Sequence, residues 1–87
     1  MEKIIHVSGK RKRSIARATL RPGKGVVRIN SQLLDVYKPE MARMKIMEPL
    51  WLAENDAKKV DISIKVRGGG QIGQAEAVRL TIGRALV

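Results

Sequence analysis

The chain has no cysteine and no phenylalanine, a single Trp and a single Tyr, and only 8 Asp and Glu to set against 18 Lys and Arg. Without cysteine there are no disulfides, thiolate metal sites or cysteine nucleophiles, and the chain suits a reducing compartment. So few aromatics leave an aliphatic core, drawn from an apolar content of 44%. The one histidine, His6, sits in a predicted strand and reads as a packed or edge residue. No group of His and carboxylates has metal-ligand spacing, so no catalytic residue, metal or cofactor is expected. Glu40, Glu48, Glu54 and Asp56 read as helix-end or solvated charges. Met1 to Val7 is too short and too polar for a signal peptide or a spanning helix, and there is no lipid-attachment site.

What the chain has in excess is positive charge. A formal charge of +10 on 87 residues is far more than solubility needs, and confining it to a compact body costs self-repulsion. Counterion release on binding a phosphate backbone offsets that cost, so a polyanionic partner is expected. An anionic membrane surface is the competing polyanion. The length allows one domain, residues 1–87, and no second.

Hydropathy periodicity predicts the elements. Ile4, Ile5 and Val7 make a short strand that ends at Ser8-Gly9 and runs into the basic turn. From Ser14 to Leu20 the alternation puts Ala16, Ala18 and Leu20 on one face and Ile15, Arg17 and Thr19 on the other, which is the cationic one. Pro22-Gly23-Lys24-Gly25 is a turn, followed by a strand over Val26 to Asn30. Pro39 suits a first helical position, Met41, Met44, Met47 and Trp51 are read as core-facing, and Pro49 should break that helix or open a new turn. Val60, Ile62, Ile64 and Val66 alternate with polar neighbours in a half-buried strand. A last helix opens after Gly68-Gly69-Gly70 and carries Ala75, Val78, Ile82, Ala85 and Leu86 on one face. The order β-β-β-α-β-α suits a two-layer α+β domain with helices on one sheet face.

Two segments carry candidate chemistry. Lys10, Arg11, Lys12 and Arg13 lie between predicted strands, where a turn projects cations from a rigid support toward phosphate. Lys supplies a point charge and Arg a planar fork able to bind phosphate in two places. Lys24 in the next turn and Arg67 before the glycines join this set, as does Arg17. The alternative for the run is a solvated loop or a localisation signal. Ser8-Gly9-Lys10 is no P-loop, because Ile4 stands where the motif needs glycine and Arg11 where it needs Ser or Thr.

The second segment, Gly68 to Gly73, satisfies G-x-G-x-x-G after a strand and before a helix. A dinucleotide site also needs a return strand and an acidic residue about twenty positions on, for which the sequence has no room. Its strand alternates, whereas a central parallel strand is almost continuously apolar. The local physics still favours phosphate, because glycines admit a backbone closely and helix-opening amides attract anions. Gly68, Gly69, Gly70, Gln71, Gly73 and Gln74 are therefore candidate phosphate contacts. A nucleotide-binding enzyme and an anionic-membrane binder remain the alternatives to RNA binding.

Taken in order, Gly9-Lys10-Arg11-Lys12, Ile15-Ala16-Arg17-Ala18-Thr19, Gly23-Lys24-Gly25, Val27-Arg28-Ile29-Asn30, Lys45-Ile46-Met47-Glu48-Pro49-Leu50, the glycine run and Arg84-Ala85-Leu86-Val87 resemble the small-subunit ribosomal protein nine family, in its archaeal and eukaryotic branch. The resemblance implies a fold like the second domain of small-subunit ribosomal protein five, with a left-handed crossover that the general right-handed rule would not predict. It implies a structural, non-enzymatic role in the cytoplasmic ribosome, supporting subunit assembly and translation. The expected partners are ribosomal RNA of the small-subunit head and neighbouring small-subunit proteins, with no membrane. By resemblance the RNA contacts are Lys10, Arg11, Lys12 and Arg17, with Gly68, Gly69, Gly70, Gly73 and Gln74. Arg13 stands where the family usually has Thr or Ser, Ser31 replaces a common turn glycine, and Gly83 a common alanine, which argues for fraying of the last helix. The family continues into a basic tail toward transfer RNA; the sequence ends at Val87, so no transfer-RNA contact is expected.

Overall fold

A computed structural model describes residues 4–38 and 40–86. Strands β1 (Ile5–Arg11), β2 (Ser14–Pro22), β3 (Val27–Ile29) and β4 (Gln32–Leu33) come first, then a single 3₁₀ turn at Leu34–Val36. Helices α1 (Glu40–Leu52) and α2 (Glu54–Ala57), strand β5 (Val60–Arg67) and helix α3 (Gln71–Leu86) follow. One sheet of order β1-β2-β5-β3-β4 results. All its pairs are antiparallel except β3 with β5, so the crossover between those two carries α1. The architecture is the α+β one expected, with α3 across β1 and β2 and α1 beside it. Pro39, predicted to open α1, and Val87, predicted to continue α3, lie outside the described residues.

Alternation sets which face is covered. Ala16, Ala18 and Leu20 of β2 and Ile62, Ile64 and Val66 of β5 are buried beneath the helices, as are Ala75, Ala77, Val78 and Ile82 of α3. Each isoleucine so buried contributes roughly 1.5–3 kcal/mol. Among the described residues no helix lies on the opposite face of the sheet, and Arg17, Ser63, Lys65 and Arg67 are exposed there.

Several local expectations change. β1 does not stop at Ser8-Gly9 but continues through Lys10 and Arg11, and only Lys12 and Arg13 form the turn. Gly9 is a fully paired strand residue opposite Ala16. It is glycine because α3 approaches so closely that a Cβ there would overlap the Thr81 hydroxyl and come within 3.3 Å of the Thr81 nitrogen. Strand β4 has no counterpart in the hydropathy pattern. Despite Ser31, a tight two-residue hairpin forms, with Asn30 and Ser31 both left-handed at φ 51° and 69°. Asparagine tolerates that conformation. Its side-chain amide accepts from Val66 N–H at 2.9 Å and donates to Val66 C=O at 3.2 Å, which extends the β3–β5 ladder by one step.

The methionines of α1 are corrected as well. Met41 is 70% exposed, Met44 45% and Trp51 55%, and only Met47 packs against the core. At about 100° per residue, positions 41 and 47 sit roughly 120° apart on the helix. Ala42, Ile46 and Leu50, four apart, hold the stripe that faces inward. Pro49 does not break α1, which runs on to Leu52. Proline removes one donor to the preceding turn, and the ladder resumes with Ala53 N–H on Pro49 C=O at 3.2 Å. Gly83 has open space where a side chain would stand, yet α3 continues past it to Leu86.

The turn between β2 and β3 is held by Asp61 of β5. One of its carboxylate oxygens accepts the amide N–H groups of Lys24 and Val26, each at 3.0 Å. Those bonds favour the charged form, so the Asp61 carboxyl lies below the usual carboxylate range. A depressed folded value means a stabilisation present above the unfolded pKa and lost as pH falls through the folded one. Asp61→Asn is therefore expected to be less stable than the wild type at neutral pH. The gap should close as pH drops from about 4 downward in urea melts, and a gap constant with pH would refute this role.

Candidate nucleic-acid interface

The tip of the β1–β2 hairpin places Lys12 in the left-handed region at φ 56°, a conformation that costs a lysine roughly 1 kcal/mol and a glycine almost nothing. Both Lys12 and Arg13 are exposed. The loop between β5 and α3 packs directly on this tip. Gly68 and Gly69 have φ of 82° and 63°. A Cβ on Gly68 would overlap the Arg13 carbonyl, and one on Gly69 the Ser14 hydroxyl. Ser14 is fully buried and donates its hydroxyl hydrogen to Gly68 C=O at 2.9 Å, an oxygen that also accepts from the Gln74 side chain at 3.2 Å. The two segments read separately from the sequence are thus one structure.

Between them lies a cleft of about 530 Å³ lined in part by Lys12, Arg13, Gly69, Gly70 and Gly73. Gly70 has no neighbour within 4 Å of where its Cβ would be, so a ligand can approach its backbone from solvent. Gln74 N–H bonds to Gly70 C=O at 2.9 Å and closes the first turn of α3. The amides of Gln71, Ile72 and Gly73 precede the first possible intrahelical bond, and no acidic residue occupies that turn. Glu76, on the cleft wall, is held by Arg11 at 3.2 Å and Lys45 at 4.0 Å. The hydrogen bond from Arg11 and the nearby charges of Arg11, Lys45 and Lys12 keep its carboxyl below the usual range.

The remaining candidates do not converge on this cleft. Strand alternation turns Arg11 toward the helices, where it meets Glu76, and sends Lys10 to the open sheet face. Arg17 stands in the middle of that face opposite Lys65, and Arg67 stands opposite Ile15. Lys24 is in the turn beyond Pro22, at the other end of β2, about 27 Å away by the rise of a strand. A further groove of about 810 Å³ runs between α1 and α3, with Arg11, Lys45, Arg79 and Arg84 on its walls. Three of these are tied to acids on the helices, Arg79 to Glu48 at 2.7 Å and Arg11 and Lys45 both to Glu76. Sequence reasoning missed Lys65 and Arg28 as companions of Arg17. The signal was present in the alternation of each strand, but only the register brings them side by side.

The geometry also bears on the glycine motif. β5 is flanked by antiparallel β2 and parallel β3, alternates buried and exposed side chains, and has no helix on its outer face. That is not the doubly covered parallel strand of a dinucleotide fold.

The family model for ribosomal protein S9/S16 matches residues 9–87. The chain belongs to the ribosomal protein S9/S16 family. It is 53% identical over 88 aligned residues to the small ribosomal subunit protein uS9 of Aeropyrum pernix, an alignment covering all of this chain and 58% of that protein. It is 52% identical over 80 residues to the small ribosomal subunit protein uS9 of Thermoplasma acidophilum, covering 92% of this chain and 62% of that one. The chain therefore spans about three-fifths of the length of these archaeal relatives. Within the S9/S16 match fall the hairpin tip, the Ser14 contact and the whole glycine loop.

Proposed function

We propose that residues 1–87 form a single RNA-binding domain of the small ribosomal subunit, a structural constituent that neutralises converging phosphates of ribosomal RNA in the subunit head. The observation that carries this is the packing of a two-cation hairpin tip, Lys12-Arg13, on a glycine loop whose Gly70 backbone is open to solvent. Cations fix a phosphate in register, and the loop amides complete its hydrogen bonds. The relatives named small ribosomal subunit protein uS9 support the ribosomal setting, and with it neighbouring subunit proteins as further partners, a cytoplasmic location and no enzymatic activity. Arg11, Gln71 and Gln74 stand in this reading as secondary contacts around the Lys12–Arg13–Gly70 centre, and Lys10, Arg17, Lys24 and Arg67 as RNA contacts away from it. Among the described residues no helix is long and apolar enough to cross a membrane.

Changing Lys12 and Arg13 together to Ala is expected to weaken binding to small-subunit ribosomal RNA about tenfold or more at moderate ionic strength. The slope of log affinity against log salt should flatten by between about 1 and 2, close to one unit for each phosphate that is no longer neutralised. The melting temperature should hold, since neither side chain is buried. Wild-type affinity and slope in a folded variant would refute the site.

A further inference from the structure

The cations of this domain are sorted by layer. Among the described residues, those that pair with acids are Arg11, Arg43, Lys45, Lys58 and Arg79, whose partners Glu40, Glu48, Glu54 and Glu76 all belong to helices. On the strands, Lys10, Arg17, Arg21, Arg28, Lys65 and Arg67 are exposed and make no ion pair within 4.0 Å among the described residues. Alternation from the buried positions puts all of these on the uncovered sheet face. The acid that shares the face, Asp61, directs one carboxylate oxygen to the amides of Lys24 and Val26.

The register makes the arrangement costly for the isolated domain. Arg17 stands directly opposite Lys65, a like-charge cross-strand pair in the middle of the sheet, where unlike charges or β-branched residues would be stabilising. Around that pair, Ser8 lies beside Arg17 and the row Thr19, Ser63, Arg28 runs parallel to it. A shallow cleft of about 520 Å³ follows this bed, lined in part by His6, Ser8, Arg17, Thr19, Ser63 and Lys65. It offers hydroxyl donors set among cations, with His6 as its one ring.

We propose that the uncovered sheet face is a second RNA surface, which takes a sugar-phosphate backbone across Arg17, Lys65 and Arg28 at a place separate from the hairpin tip and glycine loop. The proposal rests on the RNA-binding reading of the domain and adds to it that two RNA segments are held on two sides. Phosphate is favoured over an acidic protein segment because the exposed charge of the face is cationic and its aliphatic side chains are scattered singly, Ile15 half-buried between strands and Val26 and Leu33 beside Arg28, rather than gathered into an apolar anchor site. The one ring along this bed, His6, is engaged through Nδ1 with the Thr19 hydroxyl at 3.3 Å, and the cations and hydroxyls direct contact to the sugar-phosphate backbone.

Lys65→Glu tests this, because it moves two observables in opposite directions. It replaces the repulsive cross-strand pair by an attractive one, so the free domain is expected to melt a few degrees higher. Affinity for small-subunit ribosomal RNA is expected to fall tenfold or more, with a flatter salt dependence. Wild-type RNA affinity in Lys65→Glu, while the Lys12 and Arg13 variant binds weakly, overturns the sheet surface and leaves the hairpin site standing. If both variants bind RNA as the wild type does, the RNA-binding reading itself falls. Unchanged affinity for RNA combined with loss of uptake into reconstituted subunits assigns the face to an acidic protein surface instead, and likewise overturns the proposal.

Discussion

Gly68→Ala is expected to lower the melting temperature by roughly 10–20 °C. A non-glycine residue held in the left-handed region costs about 1–3 kcal/mol, and Gly68 sits at φ 82°. The added Cβ also meets the Arg13 carbonyl, a backbone atom inside a closed hairpin that cannot swing aside. For a domain of this size each kcal/mol is worth about 4–8 °C. Relief by moving the loop would break the Ser14 hydroxyl bond to Gly68 and leave a fully buried hydroxyl without its acceptor. The same displacement would part the glycine loop from Lys12 and Arg13, so RNA affinity is expected to fall even at temperatures where the variant is folded. Gly70→Ala is the control, since that position meets nothing within 4 Å. Thermal melts of the two variants decide the matter, and a Gly68→Ala curve within about 2 °C of wild type would refute the packing role.

The second large effect is expected at Gly9→Ala, where β1 and α3 touch. The new methyl would overlap the Thr81 hydroxyl and press on the Thr81 nitrogen at 3.3 Å and the Ala77 carbonyl at 3.4 Å. Overpacking of this kind costs about 1–3 kcal/mol, or roughly 5–15 °C. Thr81 bonds to Ala77 C=O within its own helix at 2.8 Å, so its side chain is not free to rotate away. Thr81→Ala removes the overlapping atom and is expected to restore most of the stability of Gly9→Ala. A double-mutant cycle should give a coupling of about 1 kcal/mol or more, whereas additive losses would mean that helix and sheet do not meet there.

These positions mark where sequence reasoning succeeds and where it stops. The strand Val60–Arg67 and the buried face of the last helix are legible because each has a clean period of two or of about three and a half residues against a polar background. The α1 methionines mislead because Met is apolar at any exposure, and a spacing of three drifts off the buried stripe within two turns. Pro49 misleads because one missing donor near a helix end is cheaper than unwinding the turn that carries Leu50 onto the core. The Asn30-Ser31 hairpin is obscured because its enabling feature is a side-chain amide bonded to Val66, a residue far away in sequence. Gly9 reads locally as a turn glycine because its constraint, the approach of Thr81, comes from the last helix of the chain.

Residue order alone is enough for the α+β class, the cationic character and the two segments, Lys10–Arg13 and Gly68–Gln74, proposed to contact phosphate. Composition, period and local backbone preference are properties of neighbours along the chain, and those are sufficient for such conclusions. It takes the folded arrangement to make the two segments a single site, to set Lys24 far from it, and to bring Arg17 against Lys65. Each of these depends on strand register and on the seating of α3 on β1 and β2. Both are set by close packing between residues distant in sequence, for which the chain carries no local signal.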